Sequence, residues 1–446
     1  MRWVPLVAAV SVLAACGYGS SGSATAAAGQ SSAGTGTVEI GLPRPSNLSA
    51  LGAALGGAFG AGGATAPTDQ QVDAIYQAMV NYVNGHGGLL GKKIKPVYYS
   101  VNPVSLAGSA APQEMCTDFT QDNHVFAVMD LANVSQTFIS CLEKAGTIAF
   151  DPAGSIQLDD TSFAQNALYA TAGALSLTRV ASVEVNGLFK QGFFGSSAKI
   201  GLVGYNSPAF TRAISQALKP ALAAHGLHLA DQQLVAPVTG LSDVAPTQQA
   251  ISDGVLRFKS EGINDVLFFD VEGGTVNPWT QAATAQGYFP RLGLTTNEMP
   301  SEQAFLGNTR NPDQVKEFST ALGVGWSPVT DEANSPVDAT GQLCDGIMQA
   351  AGASAAQAKL FWSTCDQLLA FTAGVNAGGQ LTSADALSGL AKARNLQSAE
   401  LAGPPSYAGG RRDGVGSVKY LAFAAKCQCF QYSSSAVSVQ SLLTNG

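Results

Sequence analysis

The stretch 125–152 constrains the fold more than any other part of the chain. Two short apolar runs, which end in Asp130 and Asp151, flank about fifteen residues of helical periodicity. Strand, helix and strand form a βαβ unit, because two parallel strands need a crossover of that size between them. In an open parallel sheet, ligands bind beyond the carboxyl ends of the strands. We therefore expect Asp130, Asn133, Ser135 and Asp151 to line a cleft.

The chain is long enough to build two hydrophobic cores. It has 446 residues, of which 46% are apolar and 12% are charged. Two domains of roughly 200 residues each are the expectation for this length. The net charge is -8, and no run of lysine or arginine is longer than a pair. We therefore expect no nucleic-acid partner.

An export signal is predicted at the N-terminus. The apolar run within residues 1–15 is too short to span a bilayer but suits the core of a signal peptide. It ends in Leu-Ala-Ala followed by Cys16, which resembles a bacterial lipobox and implies cleavage before Cys16 and a lipid anchor on its thiol. An ordinary export signal that contains a cysteine is the alternative. Residues 16–37 are rich in Gly, Ser, Ala and Thr and predict a flexible tether.

Six cysteines remain after Cys16, and an even number in an exported chain indicates disulfides. Predicted helices carry the first four, and consecutive right-handed crossovers can place such helices side by side. We predict three bonds between neighbours in the sequence, Cys116 with Cys141, Cys344 with Cys365, and Cys427 with Cys429. Crossed pairing among the last four is the alternative. A metal site is not expected, because the final Cys-x-Cys lacks the usual ligand spacing and no histidine follows it.

Strands and helices alternate along most of the chain. A capping box, Thr68-x-x-Gln71, opens an amphipathic helix. In the second half, a helix is predicted at 172–191, and an unbroken apolar strand at 265–270 indicates a buried parallel sheet. A hairpin is predicted at 418–432. The pattern predicts an α/β protein with two doubly wound parallel-sheet lobes.

Several segments resemble type I periplasmic binding proteins of the branched-chain amino acid binding family. Asn84-Gly85-His86-Gly87-Gly88-Leu89-Leu90-Gly91-Lys92-Lys93-Ile94 is similar to that family's "NA.GGI.GR.I" segment. Residues 125–152 resemble its "V.AVIG" strand and "AGVP.ISP" segment, and residues 199–205 resemble its "KVAI.Y" strand. The resemblance implies two lobes joined by a three-crossover hinge. Lobe 1 would comprise 38–167 and 326–410, and lobe 2 would comprise 168–325 and 411–446.

The resemblance also implies a function. The implied function is that of a monomeric solute-binding lipoprotein on the outer face of a bacterial membrane. Such a protein captures a small polar ligand, such as an amino acid or amide, and delivers it to an ABC permease. A ligand-sensing receptor component with the same fold and no transport role is the alternative.

The resemblance places candidate ligand-binding residues in both lobes. In lobe 1 it implies that Ser135 and Ser155 hold the ligand's carboxylate, whereas Asp130 replaces the family's usual glycine. A carboxylate at Asp130 would favour a cationic, amide or polyol ligand; an N-cap of the next helix is the alternative. In lobe 2 the matching stretches contain Glu272, Asn297 and Glu298, and the family's tyrosine position falls near Phe210, where Tyr205 is the nearby tyrosine. Either acid could receive an ammonium group, and Tyr205 could instead belong to the core or the hinge.

No sequence motif for catalysis is present. The chain lacks HExxH, GxSxG and P-loop patterns. Ser207 follows a strand and precedes Pro208, an arrangement that an N-cap explains better than a nucleophile. We therefore expect neither enzyme activity nor a cofactor.

Overall fold

The computed structural model describes residues 36–48, 66–101, 110–129, 136–152, 158–237, 241–271, 273–298, 300, 312–327 and 339–444. These residues form two α/β lobes, each built on a largely parallel sheet. The predicted signal peptide, Cys16 and almost all of the predicted tether lie outside them. In the part of the chain that is described, no helix is long and apolar enough to cross a bilayer.

The first lobe contains a five-stranded sheet in the order β2-β1-β3-β4-β5, in which all neighbours are parallel. Its first half consists of β1 (Thr37–Pro45), α1 (Asp69–Gly85), β2 (Lys93–Val101), α2 (Ala111–Thr117), β3 (Ala127–Met129), α3 (Gln136–Ala145), β4 (Ile148–Asp151), α4 (Asp160–Gln165) and β5 (Tyr169–Thr171). The predicted βαβ unit is therefore β3, α3 and β4. The predicted capping box is also confirmed, since Thr68 and Gln71 cap each other at the start of α1.

The second lobe follows directly. It consists of α5 (Leu177–Lys190), β6 (Ile200–Tyr205), α6 (Pro208–Ala213), α7 (Lys219–Ala224), β7 (Leu229–Val235), α8 (Leu241–Glu261), β8 (Asp265–Phe269), α9 (Val276–Ala285), β9 (Arg291–Thr295), α10 (Pro312–Phe318) and β10 (Leu322–Gly325). A π-helical turn, Ile214–Leu218, joins α6 to α7. Strands β7, β6, β8, β9 and β10 are adjacent and parallel in this order.

The chain then returns to the first lobe and ends in the second. The returning helices are α11 (Ala339–Ala350), α12 (Ala355–Lys359), α13 (Trp362–Gly378) and α14 (Ser383–Lys392). The last elements are β11 (Ser417–Ala424), β12 (Cys429–Tyr432), β13 (Val437–Ser438) and α15 (Val439–Leu443). Strand β11 pairs antiparallel with β10 and with β12, so the predicted C-terminal hairpin is confirmed and extends the second sheet.

The first sheet extends further along the chain than the sequence predicted. Tyr169–Thr171 forms a strand that pairs with β4, whereas the predicted lobe boundary lay after residue 167. The helix predicted at 172–191 begins only at Leu177, because Ser176 caps it by accepting a hydrogen bond from the backbone N–H of Arg179. Residues 172–176 are therefore part of the connection between the lobes.

The cores of the two lobes are organised differently. In lobe 1, the alternating side chains of the sheet divide the core into two clusters: Ile148 and Phe150 point to one face and Val128 and Ala149 to the other. Helices α1 and α11–α14 cover the first face, and α2 and α3 cover the second. Lobe 2 has one larger cluster, in which Trp279 is completely buried.

All three predicted disulfides are present. They join Cys116 to Cys141, Cys344 to Cys365, and Cys427 to Cys429. The first connects the consecutive helices α2 and α3 of lobe 1, as the crossover argument predicted, and the second connects α11 to α13, with the short helix α12 between them in the sequence. The third closes the turn of the hairpin between β11 and β12 in lobe 2, where Gln428 has a positive φ of 52°.

Three chain segments connect the lobes and form a hinge. The first joins β5 to α5, the second leaves β10 at Trp326, and the third spans residues 393–416. The third segment lies beside the first, since the N–H of Thr171 donates to the carbonyl of Arg412 over 2.8 Å. It also contacts the second, because the N–H of Ala402 donates to the carbonyl of Trp326 over 2.7 Å. The connections leave from the carboxyl ends of β5 and β10, so these ends of both sheets lie on the hinge side.

A buried ion pair fixes the hinge to the start of α5. Asp413 accepts a hydrogen bond from the N–H of Ser176 over 3.0 Å and pairs with the guanidinium of Arg179. The side chains of Arg179 and Asp413 are only 8% and 5% exposed. Burial raises the pKa of Asp413, and Arg179 opposes that effect. Removing one partner would therefore leave the other charge buried and uncompensated.

Candidate functional site

The candidate site lies between the carboxyl ends of the strands of the two lobes. On the side of lobe 1, β3 and β4 end at this edge, and residues 130–135 and 153–157, which come after these strands in the sequence, are outside the described residues. On the side of lobe 2, the ends of β6, β8 and β9 lead to Tyr205, Asp270 and the 3-10 turn Thr296–Glu298. These positions are the ligand-binding edge of an open parallel sheet.

The structure places four of the nine predicted ligand-binding residues. They are Asp151, Tyr205, Asn297 and Glu298. The other five, which lie outside the described residues, are Asp130, Asn133, Ser135, Ser155 and Glu272. Asp151 lies at the end of β4 in lobe 1, and the other three placed residues lie at or just after strand ends in lobe 2.

Asp151 is completely buried at the end of β4. Its carboxylate accepts a hydrogen bond from the hydroxyl of Tyr169 over 2.8 Å, across the pairing of β4 with β5. Burial, followed by the charge of Asp151, raises the pKa of Tyr169. The hydroxyl therefore stays protonated and donates to the carboxylate, which anchors Asp151 in the edge of the sheet.

Tyr205 is part of the core of lobe 2 rather than an open wall of the cleft. It is 6% exposed, and its ring packs edge-on against Phe210, with 5.4 Å between centroids. Gly274 is required beside it, because a Cβ at that position would collide with the Tyr205 hydroxyl. Tyr205 therefore packs as a core residue, which was one of the alternatives that the sequence left open.

Glu298 is completely buried and closes the turn after β9. Its carboxylate accepts hydrogen bonds from the backbone N–H and the hydroxyl of Thr295, over 2.5 and 2.7 Å. It also accepts a longer bond of 3.4 Å from the N–H of Asp270. Asn297 is half-buried, and its N–H donates to the hydroxyl of Thr295 over 3.1 Å. Glu298 therefore links the ends of β8 and β9.

Asp270 and Glu184 join Glu298 in a group of buried acids, which we call the lobe 2 acid cluster. Asp270 follows β8 and accepts a hydrogen bond of 2.5 Å from the hydroxyl of Thr275. Glu184, on α5, is completely buried, and neither of its carboxyl oxygens has a hydrogen-bond partner within the described part of the chain. Burial, followed by the charges of Glu298 and Asp270, raises the pKa of Glu184 well above its usual range.

Protonation is the chemical consequence of this arrangement. The pKa of Glu298 is also raised, first by burial and then by Asp270, while bonds from Thr295 and Asp270 oppose the shift. Glu298 has donors that favour its ionised form, and Glu184 has none among the described residues. A proton in the cluster is therefore held best by Glu184. Behind the cleft, lobe 2 presents acids that attract cations and hydrogen-bond donors, not anions.

The sequence analysis did not identify Glu184 or Asp270 as candidates. A signal was present for Asp270, since it ends an apolar strand in the same way as Asp130 and Asp151 do. For Glu184 the signal was weaker. It lies four residues from both Val180 and Leu188, on the apolar face of its helix, where an acid is out of place.

A small cavity lies at the base of the cleft, next to the hinge. Its volume is about 10 Å³, enough for one water molecule. Pro152 and Gly173 line one side, and Asp366, Ser398 and Glu400 line the other. Burial, followed by the neighbouring Asp366, raises the pKa of Glu400 to about 8. The backbone N–H groups of Ala399 and Glu400 donate to Asp366 over 2.7 and 3.0 Å, which fixes the third hinge segment to α13.

Ser207 does not act as the predicted cap of α6. It occupies the N-cap position, but its side chain makes no capping hydrogen bond; its carbonyl accepts one from the N–H of Thr211 over 2.9 Å. Pro208 explains the difference in part, since a proline at the first helical position removes one of the N–H groups that need a cap. Within the described residues, no group of three or more His, Cys, Asp or Glu side chains has an arrangement that could hold a metal ion.

The fold is shared with solved structures of substrate-binding proteins. An ABC transporter substrate-binding protein from Desulfitobacterium hafniense, solved in complex with Leu, is 13% identical, with a TM-score of 0.57 over 89% of this chain and 99% of that one. A branched-chain amino acid transporter substrate-binding protein from Streptococcus pneumoniae, in complex with isoleucine, is 14% identical, with a TM-score of 0.55 over 90% and 99%.

A third similar structure binds a different class of compound. It is a solute-binding protein of an ABC transporter from Rhodopseudomonas palustris, in complex with 4-hydroxybenzoate, and it is 12% identical, with a TM-score of 0.59 over 90% of this chain and 97% of that one. No protein-family model matches the sequence, and no curated protein matches it by sequence. The chain therefore has the periplasmic binding protein type I fold, as the resemblance implied, in a sequence far from those solved structures.

Proposed function

We propose that this protein captures a small polar ligand in the cleft between its lobes and delivers it to an ABC transporter. The observation that carries the proposal is the hinge: both sheets turn the carboxyl ends of their strands toward it, and polar side chains stand at those ends. Lobes joined in this way close on a ligand when the closed state binds it better than the open state does. The ligand-bound structures with the same fold support this reading.

The ligand class follows from the charges at the cleft. The lobe 2 acid cluster and Asp151 lie buried at the strand ends of the two lobes, and the sequence places two more carboxyl groups nearby, at Asp130 directly after β3 and at Glu272 shortly after β8. An ammonium group or several hydrogen-bond donors would complement them, whereas a dianion would be repelled. The ligand is therefore an amino acid, an amide or a similar small polar molecule.

Thermal-shift screening tests this function directly. The melting temperature of the protein from Gly36 onward would be measured in the presence of amino acids, amides, polyamines, sugars and aromatic acids. A compound present at 100 times its dissociation constant stabilises the folded state by about 2.7 kcal/mol, which gives a shift of several degrees. We expect a hit among the amines or amides that Asp270→Asn weakens. The control variant is Glu317→Gln, which changes a buried acid elsewhere in lobe 2. Hits confined to anions, or insensitive to Asp270→Asn, would contradict the proposed ligand class.

We also infer an extracytoplasmic, lipid-anchored location for a monomer. Three disulfides support an oxidising compartment, and the lipobox-like sequence before Cys16 supports a lipid on its thiol. Labelling of expressing cells with a fatty-acid analogue should mark the wild type but not Cys16→Ser. Equal labelling of both would favour an ordinary export signal.

A binding role without catalysis is part of the proposal, and a sensing receptor remains its alternative. Neighbouring genes separate the two: a permease with an ATPase favours transport, whereas a kinase favours sensing. Ser207→Ala provides a check on hydrolysis. We expect neither variant nor wild type to turn over an ester or glycoside panel, and activity that disappears on this substitution would contradict the binding role.

A further inference from the structure

An ion pair joins the lobes in addition to the three hinge segments. Arg212 on α6 of lobe 2 donates two hydrogen bonds to Asp159 of lobe 1, from Nε over 2.6 Å and from Nη2 over 2.8 Å. The same Nη2 also donates to the hydroxyl of Ser162 over 2.9 Å. A two-pronged pair of this kind fixes both distance and orientation between its partners, and it is stronger than an ordinary surface ion pair.

Burial makes the pair more effective. The side chain of Asp159 is 1% exposed and that of Arg212 is 33% exposed. Burial alone would raise the pKa of Asp159, but hydrogen bonds from Arg212 and Ser162 outweigh it, and the pKa of Asp159 is lowered. The hydrogen bond to Asp159 likewise raises the pKa of Arg212. Both groups are therefore charged over the whole physiological pH range.

The position of the pair relates it to the cleft. Asp159 follows the loop that leaves β4 at the ligand-binding edge of lobe 1, and Arg212 lies on the helix that follows β6 at the corresponding edge of lobe 2. Nearby, the N–H of Leu177 donates to the carbonyl of Leu158 over 2.9 Å, and the N–H of Asp160 donates to the hydroxyl of Thr178 over 3.1 Å. The segment that begins α4 is thus tied to the start of α5 and, through the ion pair, to α6.

Asp159 keeps other donors when Arg212 is removed. It caps α4 by accepting a hydrogen bond from the N–H of Ser162 over 3.0 Å, and the Ser162 hydroxyl donates to it over 2.5 Å. Breaking the bond with Arg212 therefore does not leave a buried carboxylate without partners. Arg212, a third exposed, can be hydrated in turn. Such a pair can break and form again at a modest cost, unlike Arg179 and Asp413 in the hinge.

We propose that Arg212 and Asp159 form a latch, a pair of positioning residues that holds the lobes in contact and slows their separation. This inference rests on the proposed function, since a latch matters where lobes open and close. Opening the cleft pulls α6 from α4 and breaks the pair, because its hydrogen bonds do not persist beyond about 3.5 Å. The latch thus adds to whatever a ligand contributes to closure.

The test uses the ligand-free protein from Gly36 onward and small-angle X-ray scattering at low and high NaCl. Arg212→Met removes the charge and the donors, and Asp159→Asn removes the charge but keeps a good N-cap. We expect a larger radius of gyration in both variants, which corresponds to about a tenfold rise in the open-to-closed ratio, or 1.4 kcal/mol. The wild type should expand only slightly toward the variants in 1 M salt, because Asp159 is buried and Arg212 is only a third exposed, so salt screens this pair less than an exposed one.

The controls separate a latch from a structural contact. Arg257→Met removes a similar ion pair with Asp231 that lies within lobe 2, and it should leave the radius of gyration unchanged. Arg212→Lys keeps the charge without the two-pronged geometry and should fall between wild type and Arg212→Met. Melting temperatures check that each variant folds.

Unchanged scattering in both Arg212→Met and Asp159→Asn, or expansion of the Arg257→Met control as well, would overturn the latch. The measurement needs no ligand. If no ligand is found but the Arg212→Met and Asp159→Asn variants expand as expected, the result counts against the proposed function and not against the latch. If a ligand is found but the variants do not expand, the result counts only against the latch.

Discussion

The two lobes share an architecture but are stabilised in different ways. Lobe 1 divides its core between two faces of a five-stranded sheet and joins its helices by two disulfides, Cys116–Cys141 and Cys344–Cys365. Lobe 2 has one larger core, and its disulfide links cysteines only two positions apart. Covalent links thus reinforce the lobe with the divided core, and apolar burial dominates in the other.

The buried acids differ in a related way. In lobe 1, Asp151 accepts a hydrogen bond from Tyr169, and Asp366 accepts bonds from two backbone N–H groups. In lobe 2, Glu184 has no hydrogen-bond partner within the described residues, and Glu317 has a raised pKa of about 8 because of burial. A large apolar core can offset the cost of such groups. We infer that reduction would affect mainly lobe 1, and that most of the buried acids with a raised pKa lie in lobe 2, with Glu400 beside α13 as a further one next to lobe 1.

The largest expected effect comes from removing a lobe 1 disulfide. Cys116→Ala with Cys141→Ala should lower the free energy of unfolding by about 3 to 4 kcal/mol, since the bond closes a long loop in the unfolded chain. The matched control is Cys427→Ser with Cys429→Ser, whose short loop predicts a loss of about 1 to 2 kcal/mol. Urea denaturation under non-reducing conditions measures both. Equal losses would show that the lobes do not differ in this respect.

The next effect concerns Glu184. Its pKa is higher in the folded state than the ordinary value of 4.5, so the folded protein binds this proton more tightly and loses stability as the pH rises above that value. Glu184→Gln removes the penalty. We expect this variant to exceed the wild type by about 2 kcal/mol at pH 8 and to match it near pH 4.5. Melting curves at several pH values measure the difference.

Glu261→Gln is the control for this prediction, because Glu261 is an exposed acid at the end of α8. It should follow the wild type at every pH. A Glu184→Gln variant that is less stable than the wild type at pH 8 would mean that favourable interactions hold the ionised carboxylate. The buried acids of lobe 2 would then not differ from those of lobe 1 in this respect.

The smallest effect concerns the hydrogen bond between Tyr169 and Asp151 in lobe 1. Tyr169→Phe removes the hydroxyl that donates to Asp151, and we expect a loss of about 1 kcal/mol at neutral pH. The loss should shrink at low pH, because a protonated Asp151 needs the donor less. Tyr82→Phe, a half-buried ring that stacks on His86, is the control and should change stability by less than about 0.5 kcal/mol. A loss independent of pH would indicate a packing effect instead.

Local patterns explain what the sequence could predict. The βαβ unit, the capping box at Thr68 and the C-terminal hairpin each depend on residues close together in the chain, and all three are present. The order of helices and crossovers predicted the bond between Cys116 and Cys141, whereas the sequence left the pairing of the last four cysteines open between neighbouring and crossed bonds. The fold followed from the same order, to which the family resemblance added the hinge.

Contacts between distant segments explain what the sequence could not predict. Strand β5 has three residues and becomes a strand only because β4 lies beside it. Arg212 and Asp159 are 53 positions apart, and nothing near either residue marks the other as its partner. Glu184 belongs to the lobe 2 acid cluster only because the ends of β8 and β9 bring Asp270 and Glu298 close to it. Such features depend on how elements pack, which local periodicity does not encode.

The order of the chain also affects how the protein is made. Strand β10 pairs with β11, and the side chain of Asn186 on α5 donates to the carbonyl of Leu442 over 2.6 Å, so the last residues complete the second lobe. Lobe 1 likewise cannot complete its core before α11–α14 are synthesised, because these helices cover one face of its sheet. Neither lobe can finish folding until nearly the whole chain has emerged. During biosynthesis both lobes therefore stay incompletely folded until late, and removal of residues 437–443 would be expected to expose the core of lobe 2 to proteolysis.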